Sequence, residues 1–100
     1  MIITIVYNFV KHLRLYESKK GIIMNMDFEK KIGKNIRNLR EKYGFTQELL
    51  SIKLQLQGCD ITRSALAKIE VGQRHLYIDE LYLIKEILGC TFEEIYQIET

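Results

Sequence analysis

The 100-residue chain has no proline and no tryptophan, and only two cysteines and two histidines. With no proline, nothing covalently interrupts a helix, and the many Leu, Ile, Glu and Lys residues favour an all-α fold. Cys59 and Cys90 form no C-x-x-C pair and have no histidine at ligand spacing. This excludes a zinc site and a disulfide scaffold, and fits reduced thiols in a cytoplasmic protein. No apolar run approaches the roughly 20 residues that a membrane helix needs. A catalytic arrangement is also missing: there is no His–carboxylate–nucleophile spacing, no phosphate-binding glycine loop and no pair of acids in apolar context. The sequence therefore gives no reason to expect an enzyme, a metal, a cofactor or a small-molecule substrate.

What is present is a chain that is 47 % hydrophobic and 28 % charged, which excludes intrinsic disorder. Its length suits one domain with one core. The net charge is only +2, but it is unevenly spread. Residues 27–75 carry ten Lys/Arg against six acids, residues 76–100 one base against six acids, and the first 26 residues four bases against one acid. A basic middle beside an acidic end suits a protein that turns one face to a polyanion.

The opening run Met1–Val10 is mostly apolar and is followed by Lys11, His12 and Arg14. It is too short to span a membrane and lacks the basic start and small-residue cleavage site of a secretory signal. Its β-branched residues suit a strand, but an otherwise helical domain offers no partner strand. Residues 1–26 are read as a leader with two explanations. Lys19-Lys20-Gly21 must be encoded by a purine-rich stretch resembling a ribosome-binding site just ahead of Met24, so translation starting at Met24 would make residues 1–23 dispensable. Alternatively, the leader is a real extension that packs on the domain or on a second subunit.

Residues 27–100 form the expected domain. Phe28, Ile32, Ile36, Leu39 and Tyr43 recur at helical spacing, with Asp27 placed as N-cap and Gly44 as terminator. Thr46 caps a second helix carrying Leu50 and Leu54 and ending near Gly58. A third, short helix starts at Ile61–Thr62, turns Leu66 and Ile69 inward, and stops at Gly72. The fourth runs from Ile78 to Leu88 with Ile78, Leu81, Ile84 and Leu88 on one face, and Gly89 ends it. Thr91-Phe92-Glu93-Glu94 is a capping box that opens a fifth. Five short helices with short links make a compact bundle.

The segment Gly44-Phe45-Thr46-Gln47-Glu48-Leu49-Leu50-Ser51, followed by Thr62-Arg63-Ser64-Ala65-Leu66-Ala67-Lys68-Ile69-Glu70-Val71-Gly72, resembles the lambda-repressor-like helix-turn-helix family, also called the Cro or XRE type. The likeness covers residues 28–98. It implies a five-helix DNA-binding fold whose helices 2 and 3 form the helix-turn-helix, with helix 3 in the major groove. Because Leu66 and Ile69 face inward, Arg63, Ser64, Ala67 and Lys68 point largely outward. Arg63, Ser64 and Lys68 are the expected base readers, Arg63 through guanine O6 and N7. Gln47, at the first turn of helix 2, is expected at a backbone phosphate, where free N–H groups and the helix dipole favour an anion. Thr62, Lys34, Arg37 and Arg74 are expected to join it. By resemblance Arg40 and Glu70 form an ion pair joining helix 1 to helix 3.

The sequence departs from the family in the link between helices 2 and 3. The step from Leu54 to the cap at Thr62 is five residues longer than usual, enough to add about one turn, roughly 5 Å, to helix 2. Val71 stands where a polar Asn is common and loses a backbone contact, and Leu76 stands where Pro is common and suits the core. Leu49, Ile52, Tyr82 and Leu83 fall off the inward stripes, and a cluster of them would mark a dimer interface.

The expected function is sequence-specific regulation of transcription, most simply repression, by a cytoplasmic homodimer on a two-fold operator in double-stranded DNA. The competing expectation is a protein-interaction module, an antitoxin or anti-repressor that uses the same fold to hold a partner. The chain leaves no room for a sizeable effector domain.

Overall fold

The computed structural model describes residues 22–97, with side chains from residue 27 onward. The Met1–Val10 run and the proposed start signal lie outside the described residues. Five α-helices follow one another: α1 (Ile22–Lys42), α2 (Gln47–Leu56), α3 (Arg63–Glu70), α4 (Ile78–Leu88) and α5 (Phe92–Tyr96). Among the described residues there is no strand. α1 packs on α3 and α5, while α2 packs on α3 and α4.

The inward stripes meet in one core. Ile32, Ile36 and Leu39 of α1 join Leu50 and Leu54, Leu66 and Ile69, Leu81, Ile84 and Leu88, and Ile95, all buried. Burying one such side chain contributes about 1.5–3 kcal/mol. Tyr43 ends its stripe past the last turn of α1 and remains 40 % exposed, with its hydroxyl on Glu94.

Three positions differ from the sequence reading. Asp27 is not an N-cap, because α1 begins five residues earlier at Ile22 and carries Asp27 in its second turn. No glycine or proline separates Ile22 from Asp27, and each further helical residue adds a backbone hydrogen bond that outweighs a local capping preference. Ile78 does not face inward and is 84 % exposed. At 3.6 residues per turn it lies about 90° from the mean direction of Leu81, Ile84 and Leu88. Leu83, read as off the stripe, packs partly buried against the core.

The helix ends follow capping chemistry. Thr46, Thr62 and Thr91 each accept the N–H of the third residue onward through Oγ1. Glu94 returns a carboxylate to the Thr91 N–H, completing the capping box, and that backbone bond holds its carboxyl below the usual range. Asn35 closes the far end of α5 by donating its amide to the Ile95 and Gln97 carbonyls.

The five additional residues between α2 and α3 are taken up by structure at both ends. α2 continues two residues past Leu54, and Gln57 is its C-cap. The Gly58 N–H then donates to the Gln55 carbonyl and the Cys59 N–H to that of Leu54, a closure typical of helix C-termini. Beyond it Ile61 is fully buried, and the Gln55 amide donates to its carbonyl. Thr62 therefore caps α3 from a residue already anchored in the core.

Gly33, in the middle of α1, sets how closely α1 and α3 approach. A Cβ there would lie 2.1 Å from the Ile69 carbonyl oxygen and 3.0 Å from that of Glu70. The two backbones are in direct contact, so only glycine fits. Gly33→Ala gains up to about 1 kcal/mol of helix propensity, yet it should lower stability by about 2 kcal/mol or more because backbone cannot yield as a side chain would. Urea unfolding checks this, and an unchanged or raised midpoint would refute the close approach.

Candidate nucleic-acid interface

The interface is built on one buried ion pair. Arg40 Nε donates to Glu70 Oε2 at 2.7 Å and its NH2 to Oε1 at 3.1 Å, while its NH1 donates to the Phe45 carbonyl at 2.7 Å. Gln47 Nε2 adds a bond to Glu70 Oε1 at 3.0 Å. Both charges are almost completely buried, with side-chain exposures of 9 % and 1 %. Glu70 accepts three hydrogen bonds, and Arg40 also satisfies a turn carbonyl. The pair joins α1 to α3 and, through Gln47 and Phe45, to the start of α2. Ser51, buried on α2, donates to the Glu48 carbonyl and leaves room for close packing.

With α3 held in this way, its remaining face is free. Leu66, Ile69 and Glu70 are buried, while Arg63, Ser64 and Lys68 are exposed. Helical geometry puts Ser64 and Lys68, four residues apart, along the outermost line. Val71, the C-cap, continues it and is 46 % exposed. Arg63 sits at the edge of the face and lines a cleft of about 510 Å³ with Arg37, Arg40, Thr46, Gln47 and Glu48. The structure thus brings Arg63, Arg37, Gln47 and the N-terminus of α2 to one concavity. Lys34 is exposed three residues before Arg37 on α1, and it flanks a separate hollow with Lys31, Asn38, Glu94 and Gln97.

Ion pairing divides the cations into two groups. Arg40, Arg74, Lys42, Lys85 and Arg37 each have a carboxylate within 4.0 Å. Among the described residues Lys30, Lys31, Lys34, Lys53, Arg63 and Lys68 have none. The Arg37–Glu41 pair is more than half exposed on both sides, so it contributes little and yields easily to a stronger anion.

Arg74 is in a different position. Its two terminal nitrogens each donate to Glu80, both at 3.0 Å, and one also reaches the His75 carbonyl. To touch a phosphate it must give up that fork. His75 lies against Glu29, which also accepts the Leu76 N–H, so α1 holds the loop after α3. Leu76 is partly buried against the core. The Arg74 guanidinium holds the Glu80 carboxyl below the usual carboxylate range, helped by the Tyr77 N–H. Burial raises the thiols of Cys59 and Cys90, both unpaired.

Gln47 and Thr62 serve the scaffold as well as facing solvent. One Nε2 hydrogen of Gln47 goes to Glu70, leaving the other and the carbonyl oxygen available. Thr62 Oγ1 accepts the Ala65 N–H and keeps its own hydrogen to donate. Sequence reasoning missed Gly33, Asn35 and the Glu29–His75 contact. Only Gly33 left a usable sign, as a glycine inside a long helix beside inward residues.

The sequence model described as helix-turn-helix, HTH_3, matches residues 36–95. The chain belongs to the HTH_3 family, the Cro/C1 type of helix-turn-helix domain. The matched span opens inside α1 and closes within α5, so it contains Arg40, the whole helix-turn-helix and Glu70. HTH_3 domains bind DNA and are not catalytic, and DNA is the partner the family implies. No curated protein and no solved structure matches the chain. Among the described residues no helix is long and apolar enough to cross a membrane.

Two outcomes follow from these contacts. Arg40→Ala should cost about 3–5 kcal/mol by stranding the buried Glu70 carboxylate, and R40M/E70L should recover most of it. Denaturant midpoints of both variants decide this, and an unaltered single variant would remove the pair from the scaffold. Glu80 has a depressed carboxyl, so its contribution is present above the unfolded value of about 4.3 and is lost as pH falls below it. Glu80→Gln should therefore be less stable at pH 7 and lose less on acidification, as thermal melts between pH 7 and pH 3 would show.

Proposed function

We propose that the chain is a transcriptional repressor that binds a two-fold DNA operator as a homodimer, with α3 in the major groove. The observation that carries this reading is the exposed face of α3: Arg63, Ser64 and Lys68 have no internal ion pair, while the opposite face is fixed by the buried Arg40–Glu70 pair. A recognition helix needs both properties together.

In this reading Arg63 forms a bidentate contact to guanine O6 and N7, and Ser64 and Lys68 reach neighbouring base edges. Gln47, Thr62, Lys34 and Arg37 take backbone phosphates from α2, the α3 cap and α1, and fix the register. Arg74 adds a phosphate contact when it exchanges one Glu80 bond. A single α3 of eight residues reads few base pairs, and two copies on a symmetric site supply the rest. Repression is the simplest outcome for a chain whose described residues consist of little beyond the binding domain. Intracellular DNA is the required location.

A binding selection from random duplex DNA should enrich an inverted repeat with half-sites about one helical turn, or a multiple of it, apart. Arg63→Ala should then weaken binding to the selected site by about 1–3 kcal/mol and to random duplex much less. Equal losses on both would reduce Arg63 to a phosphate contact, and a selection without any symmetric motif would sink the two-fold reading.

A further inference from the structure

An apolar groove of about 420 Å³ lies on α1, α3 and α4, away from the Arg63 cleft. Its walls include Phe28, Ile32, Leu76, Ile78, Leu81 and Tyr96. Ile78 at the rim is 84 % exposed, and Tyr82, one turn further along α4, is 51 % exposed. Tyr96 stacks between Phe28 and Phe92 at centroid distances of 6.4 and 6.3 Å, which extends the apolar surface onto α5. Arg74 and His75 also line the groove, but each is paired with an acid, Glu80 and Glu29, and the exposed residues of α4 and α5 beyond it include the unpaired acids Asp79 and Glu93.

The geometry points to residues 1–14 of the same chain as the occupant, with the apolar run Met1–Val10 in the groove and Lys11, His12 and Arg14 against the acids of α4 and α5. Charge decides between this segment and a second copy. Residues 76–100 carry one base and six acids, so two copies meeting by this face would bring like charges together. The first 26 residues carry four bases and one acid, and their apolar part is uncharged. Reach is sufficient. Phe28 is six helical residues from Ile22, about 9 Å, and the seven residues Leu15–Gly21 left as linker span up to about 23–25 Å when extended.

The test uses the full chain. Ile78→Asp places a charge on a side chain the described fold leaves open, at a helix start where an aspartate is favoured by the dipole. In the absence of an occupant it should leave the melting temperature unchanged or raise it. With the segment seated, I78D should lower it by about 4–8 °C. The pair I5D/V6D, which alters both faces of an extended segment, should lower it by a similar amount. All three changes together should lower it no further than either variant alone, the mark of two partners in one contact. The shift should not depend on protein concentration. A melting temperature indifferent to I78D would overturn the inference, as would additive losses. A shift that grows with concentration, together with a halved mass for I78D in sedimentation, would assign the groove to a second copy and overturn it equally.

Discussion

Everything that makes α3 usable depends on a charge that cannot reach water. Glu70 is buried at the end of α3, and its two oxygens are held by Arg40 from α1 and by Gln47 from α2. A buried carboxylate without such partners would cost several kcal/mol. With them it becomes a fixed point at which three helices must meet in one geometry. Hydrophobic contacts among Leu50, Leu54, Leu66 and Ile69 hold the helices together but tolerate sliding, whereas a fork of directed hydrogen bonds does not. Arg40 also takes the Phe45 carbonyl, so the turn entering α2 is tied to the same point.

The same economy governs the surface. Cations near the acidic end of the chain are neutralised internally: Arg74 by Glu80, Lys42 by Glu94, Lys85 by Glu86. Those on the exposed flank of α1 and on α3 are mostly left unpaired. A small net charge thus hides two surfaces of opposite character. Among the described residues an anionic partner meets unpaired positive charge on the exposed flank of α1, at Lys53 of α2 and on α3, and meets mostly acids at α4 and α5.

Much of this was legible in the sequence because the relevant signals are local. Helical spacing gave the core positions of α1, α2 and α3, and threonines followed by acids or small residues marked three helix starts. The Arg40–Glu70 pair came only through likeness to the family, since residues 30 positions apart carry no pattern of their own. Asp27 and Ile78 misled for one reason. A capping preference or a three-residue spacing is worth about 1 kcal/mol, and it gives way when the chain can extend a helix or when the stripe rotates at a helix start. The double donation from Asn35 and the grip of Glu29 on the α3–α4 loop were invisible, because a polar residue on a predicted outer face looks the same whether it is solvated or bonded to a distant carbonyl.

Gly33 adds a consequence of another kind. Where α1 meets α3 at Gly33, main chain touches main chain, so the spacing of the two helices at that crossing is set by backbone. The residues that hold α3 and those that face outward from it share no positions: Leu66, Ile69 and Glu70 on one side, Arg63, Ser64, Ala67 and Lys68 on the other. Exchanging the exposed Arg63, Ser64 and Lys68 would leave the buried mounting untouched. If α3 reads DNA as proposed above, such a scaffold can acquire a new DNA preference in a few substitutions without first passing through an unstable intermediate, which makes its reading surface a replaceable part.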